Sequence, residues 1–199
     1  VTHKSGRHFL QLPGPTNVPD RVLRALARPI IDHRGPAFRD LALALQDELH
    51  WVFGTQHPVL VYPSSATGAW EAALTNTLSP GDTVVAFDQG FFASKWAQVA
   101  ARFGLEVRLQ TQDPRKGVDP NAVDALLRSD PDREIKALLV VHNETSTGVT
   151  TDVEAIGRVV REAGHPALLM VDAVSSLASI ELRHDAWGVH VTVSGSQKG

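Results

Sequence analysis

The sequence predicts an α/β fold: a mostly parallel β-sheet with helices on both of its faces. Short apolar runs recur along the chain, and they are apolar throughout rather than alternating, as expected of strands covered on both sides. Helical patterns separate these runs. The junctions carry matching punctuation, with Asp119-Pro120 and Asp152 as helix starts and Gly104 and Gly164 as helix stops.

In chain order, Pro19 and Pro36 stand where a first helical turn tolerates proline. Behind Pro36 the apolar positions Phe38, Leu41, Leu45, Leu49 and Val52 recur at spacings of three and four until Gly54, which predicts a helix with one buried face. Strands are expected at 59–62, 83–87, 105–109, 137–142, 167–172 and 189–193. Helices are expected near 68–78, 93–103, 119–129 and 152–163. No internal repeat or linker divides the chain, so one domain is the expected count.

With 199 residues, 43% apolar and 21% charged, the chain can bury one substantial core. A formal net charge of -3 supplies no electrostatic reason for a nucleic-acid or membrane partner, and neither is expected. Cysteine is absent, which removes thiol nucleophiles and thiolate metal sites from consideration. Residues 1–8 are polar and basic and lead into no apolar stretch, so a signal peptide is not expected there. The longest apolar runs are of strand length, too short to cross a bilayer, and a soluble, cytoplasmic protein is the expectation.

In parallel sheets the ligand lies beyond the carboxyl ends of the strands, so the residues just after each run are where chemistry is sought. Of five lysines, Lys4, Lys95, Lys116 and Lys136 have polar or helical surroundings and read as solvated. Lys198 follows an apolar run and a turn of small residues, a setting that can hold an amine against a ligand and favour its nucleophilic form. Asp172 ends the run Ala-Leu-Leu-Met-Val, where a carboxylate is costly unless a cation or several donors meet it. A protonated pyridine nitrogen is one such cation. An Asp on that nitrogen and a lysine Schiff base are the two protein groups that make pyridoxal phosphate an electron sink. Taken singly, Asp172 reads equally as a helix cap and Lys198 as a loop lysine; their order and separation favour the functional reading.

Ser64 to Gly68 places small residues and hydroxyls between an apolar run and a helix, a form suited to a phosphate, though many such turns only cap helices. Phe92 can stack on a flat ring, and Thr145 can donate a hydrogen bond to a ring hydroxyl; alone, the first reads as core and the second as a polar turn. The G-x-G-x-x-G, G-x-x-x-x-G-K-[ST] and G-x-S-x-G patterns are missing, which argues against a nucleotide-binding module and a serine hydrolase.

The stretches PGPTNVP at 13–19, IDHRGPAF at 31–38, PSSATGAWEAAL at 63–74, HNETSTGV at 142–149, VDAVSS at 171–176 and SGSQKG at 194–199 resemble the class V aminotransferases, in particular the serine–glyoxylate and alanine–glyoxylate branch. The resemblance implies the large domain of a fold-type I transferase, a homodimer, and pyridoxal 5'-phosphate as cofactor. It implies that Lys198 forms the internal aldimine and then moves the Cα proton. It places Asp172 on the ring nitrogen, Val174 and Phe92 on the two ring faces, and Thr145 on the ring hydroxyl. Ser65, Ala66, Thr67 and Gln197 are placed around the phosphate, and Gly14 near substrate.

On this resemblance residues 1–199 hold the N-terminal segment and most of the cofactor-binding domain. The C-terminal small domain, with an arginine for the substrate carboxylate, is expected to lie outside them. The implied reaction is ping-pong transfer of the amino group of L-serine to glyoxylate, giving hydroxypyruvate and glycine. Alanine–glyoxylate or ureidoglycine–glyoxylate transfer, and a truncated fragment without activity, are the alternatives. Two positions depart from the family pattern. Ala66 stands where glycine is usual, which threatens the phosphate turn if a positive φ is needed there. His190 stands where Asp is expected, and a metal role for it is not expected, since no second histidine lies at ligand spacing.

Overall fold

A computed structural model describes residues 9–198; residues 1–8 and Gly199, including Lys4 and the stretch searched for a signal peptide, lie outside the described residues. Five parallel strands form the sheet in the order β2-β1-β3-β6-β7: β1 (Thr83–Asp88), β2 (Glu106–Thr111), β3 (Ile135–Val141), β6 (Leu168–Asp172) and β7 (Val191–Val193). A two-stranded antiparallel ribbon, β4 (Asn143–Glu144) with β5 (Val149–Thr150), follows β3. From β1 the chain turns outward to β2 and then returns to β3 on the other side. The crevice between the carboxyl ends of β1 and β3 is therefore a topological switch point, the place where such sheets bind ligands.

The uniform apolarity of the central strands follows from burial on both faces. Odd-numbered residues of β1 and β6 and even-numbered ones of β3 (Val85, Phe87, Leu138, Val140, Leu169, Val171) point to one face. There they meet Val123 and Leu127 of α5 (Pro120–Arg128) and Ile156 and Val160 of α6 (Val153–Ala163). The alternate residues Val84, Ala86, Leu139 and Met170 meet Trp70 and Leu74 of α3 (Ala66–Thr77) and Trp96 and Ala100 of α4 (Phe91–Arg102). Strand β2 lies at the sheet edge and is mostly exposed, in keeping with its polar residues. The expected punctuation is present: Asp119 and Asp152 cap α5 and α6 through Asn121 N–H and Ala155 N–H, and Gly164 ends α6 in the left-handed region.

Helix α6 packs closely enough on the 183–188 turn to require a glycine. A β-carbon on Gly157 would overlap the Trp187 carbonyl oxygen, and a backbone atom cannot swing aside. Gly157→Ala is expected to lower stability by about 1–3 kcal/mol, overriding the better helix propensity of alanine. Urea unfolding of the full-length protein checks this; an unchanged or raised midpoint contradicts the packing described.

Two expectations fail, both near the amino terminus. Residues 59–62 form no strand: the segment is extended and unpaired in the sheet, with Leu60 70% and Tyr62 48% exposed, and the Val59 carbonyl accepts instead from the Gln46 side chain. Composition can suit a strand, but pairing needs a partner edge. Helices α1 (Asp20–Leu26) and α2 (Pro36–Phe53) form, and Gly54 ends α2 with φ 63°, yet no residue of α2 is buried. The apolar stripe is where periodicity puts it, with Phe38, Leu41 and Leu45 exposed; no described element covers it.

Candidate active site

The carboxyl ends of β1, β3, β6 and β7 border one cleft enclosing about 540 Å³, part of it open to solvent. Ser65, Ala66, Thr67, Phe92, Thr145, Asp172, Val174, Gln197 and Lys198 all line it. Every residue proposed from the sequence is thus brought to this cleft except Gly14, which lies against the Lys198 stem instead: a β-carbon there would stand 2.8 Å from Lys198 Cε.

Asp172 is the last residue of β6 and only 4% exposed. Its Oδ1 accepts the Val174 N–H at 2.8 Å and its Oδ2 the Trp70 indole N–H at 2.9 Å. Burial pushes its pKa up to about 6, against the pull of those two donors and of the Lys198 charge; the nearby Glu144 adds to the rise. Because folding raises this pKa, the group's contribution to stability is fully present below pH 3.8 and is lost as the pH rises through about 6. Near neutrality the site therefore holds an anion at a cost that a cationic partner would offset.

The wall opposite is built by a clamp that the sequence did not reveal. Helix α4 has Gly90 at its N-cap and no side-chain cap of its own. Fully buried Glu144 supplies one: its Oε2 accepts from Phe92 N–H and Ala93 N–H, at 3.1 and 3.0 Å, and its Oε1 from the Ser146 N–H and hydroxyl. Ser146 Oγ in turn accepts from Phe91 N–H. Thr145 lies between these two anchors, so the clamp joins it to Phe92 across the β1–β3 crevice. Gly90 permits the approach, since a β-carbon there would stand 2.5 Å from Ser146 Oγ and 2.8 Å from Glu144 Cγ.

Lys198 comes from the turn after β7, fixed to its neighbours by three hydrogen bonds. Ala173 N–H donates to Val193 O at 2.8 Å, Ser194 Oγ to Ala173 O, and Thr16 N–H to Gln197 O. Its Nζ lies 5.3 Å from the Phe92 ring centroid. At the other end of the cleft the first turn of α3 begins at Ala66, and its N-cap Ser65 gives it no side-chain hydrogen bond. First-turn amides lack partners within a helix and favour an anion. A β-carbon built on Gly195 would stand 2.8 Å from Gln197 Oε1 and 3.8 Å from Ala66 Cβ, which sets the three residues side by side.

Both sequence departures have a local explanation. Ala66 is the first residue of α3 and does not occur among the non-glycine residues with positive φ, so the anticipated strain does not arise. His190 Nδ1 accepts the Leu169 N–H at 2.9 Å while its own N–H donates to Leu169 O. The side chain thus serves as a ladder acceptor for β6, a part an Asp carboxylate can also play.

Five cleft residues were not anticipated as part of the site: Trp70, Lys95, Val141, Asn143 and Ser175. Lys95, read from its neighbours as a solvated lysine, is half-buried in the wall of the cleft. Asn143 and Ser175 bond to each other, joining the ends of β3 and β6. An indole on the first turns of a helix that follows a candidate phosphate turn was the available signal for Trp70, since a buried indole N–H needs an acceptor.

The Aminotransferase class-V family model matches residues 8–199. The chain is similar to a serine–glyoxylate aminotransferase of Methylorubrum extorquens, 45% identical over 100% of this chain and 50% of the relative. It is equally similar to an L-aspartate–glyoxylate aminotransferase of Paracoccus denitrificans, 45% identical over 94% of this chain and 48% of the relative. Among solved structures, an alanine–glyoxylate aminotransferase from Nostoc sp. superposes with a TM-score of 0.90 at 33% identity, over 99% of this chain and 51% of that one. The chain therefore spans about half the length of the relatives it matches. Within that span the parallel sheet, the cleft at its switch point and the sequence match agree, and the chain belongs to the class V aminotransferases, a family of pyridoxal-phosphate enzymes.

Proposed function

We propose that the protein transfers the amino group of L-serine to glyoxylate by a ping-pong route, with Lys198 as its covalent anchor for pyridoxal 5'-phosphate. The observation that carries this reading is the meeting, in one cleft, of an amine on the turn after β7 and a buried carboxylate at the end of β6. The residues suit the cofactor: burial keeps the carboxylate's pKa raised despite the Lys198 charge, an aromatic face lies beside the amine, and a helix start without a side-chain cap lies at the far end.

Bound pyridoxal phosphate supplies an electron sink that acidifies the Cα proton of an amino acid. Asp172 keeps the ring nitrogen protonated by pairing with it. Phe92 and Val174 confine the ring from its two faces, and Thr145 donates to the ring hydroxyl. The first-turn amides of α3, the hydroxyls of Ser65 and Thr67 and the Gln197 amide hold the phosphate. Lys198 Nζ would serve as the general base that removes the Cα proton and then as the acid that delivers it across the transferred nitrogen. Gly14, against the Lys198 stem, leaves room for substrate.

We assign the exposed apolar stripe of α2, together with Leu60 and Val61, to contacts with a second copy of the chain. Rates for the full-length enzyme with glyoxylate and serine, alanine, aspartate or ureidoglycine test the donor. We expect serine to have the highest kcat/KM, by about tenfold or more, the order set by one well-made polar contact. Aspartate is the second reading, favoured by the equal identity to the Paracoccus relative. A kcat/KM for aspartate or alanine above that for serine overturns the assignment.

A further inference from the structure

Trp70 and Trp96 stack beneath the cleft with ring centroids 5.8 Å apart and an interplanar angle of 13°; both are buried. Their indole N–H groups differ. That of Trp96 meets no acceptor among the described residues. That of Trp70 donates to Asp172 Oδ2 at 2.9 Å, from a helix 102 residues away in sequence. With Val174 N–H on Oδ1, each carboxylate oxygen accepts one fixed donor and keeps further acceptor capacity.

We propose that Trp70 is a positioning residue: its indole N–H fixes the orientation of the Asp172 carboxylate and holds it ionised, ready to pair with the cationic ring nitrogen of the cofactor. This role rests on the reading of the cleft given above. The charged groups that face Asp172 are Lys198, from the turn after β7, which favours the anion, and Glu144, from β4, which opposes it; Lys95 of α4 lines the same cleft. Burial outweighs them and brings the midpoint to about 6, and the indole is one of the two donors, with Val174 N–H, that keep it from rising further. Trp70→Phe keeps the aromatic stack and removes the donor. The Asp172 midpoint then rises by about one pH unit, the size expected for losing one hydrogen bond to a charged acceptor. A neutral acid cannot pair with a cation, so cofactor affinity falls about threefold midway between the two midpoints, approaches a loss of about tenfold below both, and is nearly unchanged well above them.

Carboxyl-carbon NMR of aspartate-labelled, cofactor-free full-length protein reads this midpoint directly, with Asp172→Asn identifying the resonance. The expected results are an upward shift of about one pH unit in Trp70→Phe, none in Trp96→Phe, and no further loss of cofactor affinity when Trp70→Phe is added to Asp172→Asn. If Trp70→Phe does not fold, the unsubstituted protein suffices: the Trp70 indole N–H resonance must titrate with the Asp172 midpoint and that of Trp96 must not. An unmoved midpoint in folded Trp70→Phe, a Trp70 resonance indifferent to the Asp172 titration, or an affinity loss equal at every pH overturns the role. Failure of the unsubstituted protein to bind pyridoxal phosphate overturns the reading of the site, whereas binding with an unmoved midpoint overturns only the part given to Trp70.

Discussion

Lys198→Ala in the full-length enzyme is expected to abolish the visible absorption of the bound cofactor and to lower transamination by at least about a thousandfold. The magnitude follows from what the amine does after it releases the cofactor: general acid–base transfer by a positioned side chain contributes roughly 10²–10⁴. The loss of covalent attachment adds to this. Phe92, Thr145, Asp172 and the start of α3 are untouched by the substitution, so non-covalent binding of the cofactor persists at a weaker level. Absorption spectra and single-turnover rates check both parts. Activity within tenfold of the unsubstituted enzyme would falsify the assignment of proton transfer to this amine.

The second large effect is on stability. Glu144→Ala removes the acceptor of the buried Ala93 N–H and the half-buried Phe92 N–H at the start of α4, and that of the Ser146 N–H and hydroxyl. A buried donor left without an acceptor costs about 1–3 kcal/mol, and water entering the gap recovers part of that; the expected total is about 3–5 kcal/mol. Glu144→Gln keeps one carbonyl oxygen and so one of the two donor pairs, which predicts a loss between those of the parent and the alanine variant. Chemical denaturation of the full-length protein measures both. A loss under about 1 kcal/mol for the alanine variant contradicts the clamp described here.

Much of the fold can be read in the sequence because its signals are local. Apart from Lys136 and the terminal Asp172, strands β3 and β6 are apolar on both faces since both sheet faces are covered, and Asp119, Asp152 and Gly164 mark helix ends through their own backbone chemistry. Asp172 and Lys198 are legible for a related reason, because a polar residue directly after an apolar run stands where such sheets place ligands. What escaped depends on partners distant in sequence. Glu144 caps a helix 52 residues away and Trp70 meets a carboxylate 102 residues away, and neither pairing has a spacing to recognise. The segment 59–62 carries strand composition without a neighbouring edge, and the stripe on α2 shows which face is apolar without showing what covers it. Lys95 was misjudged because a lysine within a helix ordinarily faces solvent, while the register of α4 brings Lys95 to the wall of the cleft.

The identity of the anchoring amine can be read chemically. Borohydride reduction of the full-length enzyme with bound pyridoxal phosphate, followed by proteolysis and mass mapping, fixes the label to the lysine that held it. The label is expected on Lys198. A label on Lys95, the other lysine lining the cleft, or on no residue at all, contradicts the assignment from which the proposed chemistry proceeds.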